Sequence, residues 1–149
     1  MAEEQQQQDV VQKEEPVNPA TVKRPELDWY LQHLVTMANT QGVEMGITVI
    51  LGGTVVTGQL ISGKTYFESF GALFAGAWNA DEDGKRAIQD EMSKPAEMYG
   101  PDKHDAAGPS FIHLKNATVR TPSGSLTNQG VLWRGRLTEV SGFMLGSIG

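Results

Sequence analysis

Residues 111–149 read FIHLKNATVRTPSGSLTNQGVLWRGRLTEVSGFMLGSIG. Ile112 and Leu114 alternate with Phe111, His113, Lys115 and Ala117, which is the period of a strand. Thr121, Pro122, Ser123 and Gly124 begin a polar run to Gly130 with turn chemistry. Val131, Trp133 and Leu137 then share one face of a further strand, and Arg134 and Arg136 share the other. Ser141 and Gly142 break or kink that ribbon before Phe143, Met144, Leu145 and Ile148 finish it. The stretch predicts strands at 111–120, 131–140 and 143–148.

Working outward, the preceding segment carries the other half of a sheet. Met45 to Leu51 is rich in β-branched residues, Gly52 and Gly53 supply a tight turn, and Thr54 to Ser62 returns as a second strand. Gly58, inside that second strand, predicts a bulge, a bend or a close backbone approach. Upstream, Leu27, Tyr30, Leu31, Leu34, Val35 and Ala38 recur at helical spacing, with Pro25, Glu26 and Asp28 at the start and Gly42 at the stop. A helix is expected over 26–41.

Between strands two and three the period changes. Tyr66, Phe67, Phe70, Leu73, Phe74, Ala77 and Trp78 mark one face of a helix at about 64–79. Gly71 and Gly76 each cost a helix interior about 1 kcal/mol relative to alanine. That helix must therefore lean on packing, as a core element or as an aromatic interface. Asp81 to Met92 reads as a short charged helix capped by Asp81, and 93–110 as a long exposed loop rich in proline, glycine and charge. Residues 1–24 are nearly bare of large apolar side chains, and Gln5 to Gln8 form a run among acids. They are expected to be a disordered, acidic, Gln-rich tail preceding one α+β domain over 25–149, with its insertion at about 63–110.

Charge narrows the function classes. The formal net charge is −6, yet 106–149 carries +3 while 1–30 and 81–105 carry −4 each. A basic balance suited to nucleic acid is missing. The absence of cysteine removes disulfides, thiol catalysis and thiolate metal sites. The polar, acidic start is unlike a secretory signal, and no run approaches a membrane span, so a cytoplasmic protein is expected.

No catalytic constellation emerges. Ser110 and His113 stand three apart on a strand, which sets them on opposite faces. His104 beside Asp102 lacks a second ligand pair at metal spacing. Gly52, Gly53 and Thr54 lack the lysine of a phosphate loop. No cofactor is implied, and the chain is read as not being an enzyme. His113, Lys115, Arg134 and Arg136 remain as a basic group that shares a surface if the strands pair in register. Full phosphate engagement by Lys115, Arg120, Arg134 and Arg136 would give a salt slope of only about −3 to −4.

One helix followed by five short, glycine-bent strands resembles the Sm-like small barrel, with Gly58 in the second strand and Arg134-Gly135 in the fourth. The expected fold is thus α+β: a small, strongly bent five-stranded antiparallel sheet or barrel, with an N-terminal helix and a helical insertion between strands two and three. About 48 residues separate those strands here, and the Asp-x-Met-Asn base-binding signature is absent. A closer resemblance covers most of the chain. ITVILGGTVVTGQLIS, YFESFGALF, FIHLKNATV and WRGRL-x-x-V-x-GF-x-LG, in that order, resemble the gas vesicle accessory protein GvpU family. This implies a non-enzymatic protein that assists gas vesicle assembly or clustering. Its implied partners are itself as a homo-oligomer, the vesicle shell, or other accessory proteins. The residues expected to meet a partner are Tyr66, Phe67, Phe70, Phe74, Trp78, His113, Lys115, Arg134 and Arg136. The alternative is an Sm-like nucleic-acid binder through Arg134-Gly135.

Overall fold

The computed structural model describes residues 26–103 and 106–148. The expected 1–24 tail and His104 lie outside the described residues.

Helix α1 spans Trp29–Gln41. Asp28 precedes it as the cap: its Oδ1 accepts from the backbone N–H of Tyr30 at 2.9 Å and of Leu31 at 3.3 Å. The aspartate thus satisfies orphan donors of the first turn instead of lying within the helix as expected. Gly42 ends α1 in the left-handed region. Strands β1 (Met45–Leu51) and β2 (Thr54–Ile61) form the hairpin, and of its two turn glycines Gly52 alone takes a positive φ.

Helix α2 (Gly63–Gly76) follows at once, because the Ser62 hydroxyl accepts from Thr65 N–H at 3.0 Å and caps it. Helix α3 (Glu82–Ser93) is capped by Asp81, whose Oδ1 accepts from Gly84 N–H at 2.7 Å. Gly71 lies where α2 and α3 cross. A Cβ there would strike the Ser93 hydroxyl and lie 2.9 Å from Gln89 O, so the helical cost of glycine secures a close crossing. The 93–110 stretch is not wholly loop: Lys94–Met98 forms a 3-10 segment opened by Pro95.

The sheet is completed by β3 (Phe111–Thr121), the two-residue β4 (Gly124–Ser125), β5 (Val131–Arg136) and β6 (Gly142–Leu145). Its order is β4-β3-β2-β1-β6, with β5 also pairing to β3, and every pairing is antiparallel. The strand expected over 131–140 stops at Arg136. Leu137 turns into the core through the 3-10 turn Leu137–Glu139, and its N–H donates to Ser110 O at 2.9 Å. Ser141 then bonds Ile50 O through both its N–H and its hydroxyl, at 2.8 and 3.0 Å. The chain is thereby carried from one edge of the sheet to the other. β5 and β6 do not pair with each other, so the sheet stays open and the barrel alternative does not hold.

Two faces result. On the first, Leu31, Val35 and Ala38 of α1 pack on Ile47, Val49, Val56, Leu60, Ile112, Leu114 and Ala117, joined by Leu137. Gly58 belongs to this layer. The β2–β3 register shifts beside it, and a Cβ there would lie 2.8 Å from Lys115 O and 2.9 Å from Ala117 Cα. The expected close backbone approach is therefore present. On the second face, α2 covers one end of the sheet. The C-terminal residues close the other through a buried chain of hydrogen bonds. Ile148 N–H donates to Thr57 Oγ1 at 2.7 Å, the Thr57 and Thr48 hydroxyls bond at 2.9 Å, and Thr48 donates to Gly146 O at 2.8 Å.

Candidate functional site

The β3–β5 register sets His113 opposite Arg134 and Phe111 opposite Arg136. Residues directly opposite in an antiparallel pair share a face. That face is the one α2 covers, and the consequence for His113 is burial to 1% exposure. Three rings surround the imidazole: Tyr66 at 4.7 Å between centroids, Phe67 at 5.7 Å and Tyr99 at 5.9 Å. Arg134 Nε donates to His113 Nε2 at 3.1 Å. Burial first, and the Arg134 charge second, push the histidine down to about 3. His113 is thus neutral at physiological pH, accepts at Nε2, and carries its proton on Nδ1, which has no hydrogen-bond partner among the described residues.

His113 is therefore not a surface cation. Its contribution is to hold Arg134. The Arg134 guanidinium lies 3.6 Å from the centre of the Phe111 ring and 5.5 Å from that of Phe67. Among the described residues no carboxylate pairs with it. Burial raises the Tyr66 and Tyr99 phenols, and the Arg134 charge partly opposes the rise, so both stay protonated at neutral pH. Lys115 is committed elsewhere: its Nζ meets Glu44 Oε2 at 2.7 Å. Arg136 is exposed at the β5 edge.

The aromatic residues of α2 form a continuous row. Tyr66 stacks on Phe70 at 5.9 Å, Phe70 on Phe74 at 5.9 Å, and Phe74 approaches Trp78 at 5.9 Å. The row grades from core to solvent: Tyr66 is buried, Phe67, Phe70 and Phe74 are half-buried, and Trp78, just past the helix end, is 52% exposed. Leu73, expected on the same helix face as the aromatic residues, is 65% exposed.

Three site residues escaped the sequence reading. Tyr99 lies in the proline- and glycine-rich stretch taken as loop, yet its ring covers Gly63, where any Cβ would strike it. Phe111, whose alternation marks it only as a strand residue, carries the Arg134 guanidinium. Asn39 Oδ1 accepts from Gly63 N–H at 2.9 Å and ties α1 to the start of α2. Asn39, Tyr99, Phe111 and Arg134 line a cleft of about 630 Å³ bounded by α1, by residues 98–103 and 108–110, and by β5.

Among the described residues there is no cluster of histidine and carboxylate side chains able to hold a metal ion. No described helix is long and apolar enough to cross a membrane. No curated protein and no solved structure matches the chain. The family model described as gas vesicle protein GvpU-like matches residues 28–148, which takes in all the described strands and helices and the Arg134 site. The chain belongs to the GvpU-like family of gas vesicle proteins.

Proposed function

We propose that this chain, a non-enzymatic gas vesicle accessory protein, acts in the cytoplasm by docking on the vesicle shell or on another accessory protein, and by self-association. The family match over 28–148 carries the reading. The exposed end of the α2 aromatic row supports it, because Leu73 and Trp78 leave large apolar surface in solvent beside half-buried Phe74. Tyr66, Phe67 and Phe70 act as the root that fixes the row, with Phe74 and Trp78 at the contact. The β5 arginines flank the partner, Arg136 from the edge and Arg134 from its seat on Phe111. His113 acts through Arg134, and Lys115 from its pair with Glu44. The outer edges of β5 and β6, which pair with no other strand among the described residues, support self-association, since an unpaired edge is a template for another strand.

The geometry weakens the nucleic-acid alternative. Lys115 is ion-paired with Glu44 and His113 is buried and neutral, so Arg134 and Arg136 alone remain of the basic group, too few for a phosphate-binding stripe.

Co-flotation tests the reading. Purified protein is mixed with intact, stripped gas vesicles, the vesicles are floated, and bound protein and vesicle clustering are both assayed. Protein in the floating layer together with clustering is expected. No bound protein at any salt concentration ends the docking reading, and a monomer by sedimentation at all concentrations ends self-association.

A further inference from the structure

The cleft beside Arg134 has a make-up that docking on a shell does not require. Its volume of about 630 Å³ lies in the range of small-molecule sites, roughly 300–1,000 Å³. Its walls are largely apolar, with Met98, Tyr99, Pro109 and Phe111 among them. The charged side chains among the described residues of its lining are Arg134, Lys103 and Asp102, a local excess of positive charge in a chain whose net charge is −6.

The arginine is held in place without being neutralised. His113 accepts from Nε and brings no negative charge, so the guanidinium keeps its full charge. Phe111 lies against it, with the guanidinium carbon 3.6 Å from the ring centre, and limits its movement. The two terminal nitrogens make no hydrogen bond among the described residues. A planar, pre-oriented guanidinium with both terminal nitrogens free matches a carboxylate in two parallel hydrogen bonds. Asn39 adds to this. Its oxygen is used by Gly63 N–H, which turns its amide NH₂ into an available donor on the cleft wall. By contrast, Thr36 and Thr40 spend their hydroxyl protons on helix carbonyls, at 2.9 and 2.8 Å. Arg134 and Asn39 therefore both bring donors to a cleft that Met98, Tyr99, Pro109 and Phe111 also line.

We propose that this cleft binds a small organic anion, a carboxylate on a planar or apolar body, with Arg134 as its charge partner and Tyr99 and Phe111 as its walls. The cleft does not include the exposed Leu73–Trp78 tip, and it shares Arg134 with the proposed docking surface.

The test uses the ¹⁵N-labelled full chain titrated with benzoate, with benzamide as the uncharged isostere and inorganic phosphate as the anion without an apolar body. Benzoate is expected to give saturable shifts at the Arg134 Nε–H, the Asn39 amide NH₂ and the Gly63 N–H, with benzamide and phosphate giving far weaker ones. Arg134→Met is expected to weaken benzoate binding by at least about tenfold, the loss of one charge-assisted hydrogen bond or more. No saturable shift at about 10 mM benzoate, well above a millimolar Kd, overturns the proposal. So does an equal response to benzamide, or a response to phosphate that matches or exceeds that to benzoate. These comparisons on the wild-type chain decide the matter even if Arg134→Met does not fold.

Discussion

Arg134 Nε and His113 Nε2 lie 3.1 Å apart, a cation donating to a buried, neutral imidazole. The pairing ties stability to pH. An unfolded histidine titrates near 6.5, whereas the folded one is held down to about 3. Between these values the unfolded chain binds a proton that the folded chain refuses. Stability from this group is therefore complete above about pH 6.5 and falls as pH drops toward 3, at about 1.4 kcal/mol per unit. By pH 5 the loss is on the order of 2 kcal/mol. Urea unfolding at pH 7 and pH 5 measures it, and His113→Asn is expected to flatten the slope. An unchanged slope in that variant would place the acid sensitivity elsewhere.

Gly58 supports a second prediction. A Cβ at this position meets Lys115 O and the Ala117 backbone, neither of which is a flexible side-chain end. Gly58→Ala is therefore expected to push β2 away from β3 and destabilise the chain by about 1–3 kcal/mol, the usual cost of overpacking. Gly53→Ala, which meets nothing within 4 Å, is the control and should change little. Equal denaturation midpoints for the two variants would contradict the close approach.

The contrast between Gly58 and His113 shows what the sequence could disclose. A glycine within a β-branched run is a local signal, as are Asp81 before a charged helix and the Gly52 turn between two matched strands. Local period and capping decided those elements, and the structure has them at the expected places. His113 could not be read that way. Alternation placed Ile112 and Leu114 inward and so made His113 outward, which is correct for the first face. The second face is covered by α2, an element distant in sequence, and no property of a single strand reports that cover. Leu137 is a similar case. It continues the parity of β5, yet its burial and its bond to Ser110 O turn the chain out of the strand. Tyr99 was hidden by composition, because proline and glycine around it signal a loop and say nothing about which way its ring turns.

The buried hydroxyls Thr48 and Thr57 give a third prediction. Thr48 donates to Gly146 O, so the proton shared with Thr57 comes from Thr57, which accepts in turn from Ile148 N–H. Thr48→Val keeps the shape but leaves the Thr57 hydroxyl proton without an acceptor and Gly146 O without the Thr48 donor. The expected cost is about 1–3 kcal/mol, the penalty of leaving buried polar groups unmade. Amide exchange locates the effect: the N–H of Ile148 and of Gly146, which donates to Gly46 O, should exchange faster while α1 is unaffected. Uniform acceleration across the chain would mean that the hydroxyl chain does not clamp the C-terminal residues.

The last prediction separates docking from folding. Leu73 and Trp78 are mostly in solvent, so truncating them removes little buried surface. Leu73→Ala with Trp78→Ala is expected to change stability by no more than about 1 kcal/mol, because exposed side chains rarely support the fold. The same double variant should lose most vesicle binding in co-flotation, as truncation of interface anchors does. Phe70→Ala is the complementary change. It removes a half-buried ring stacked between Tyr66 and Phe74, and should weaken both the fold and the docking. Full vesicle binding by the double variant would remove the α2 tip from the interface and leave the β5 and β6 edges as the surface to test.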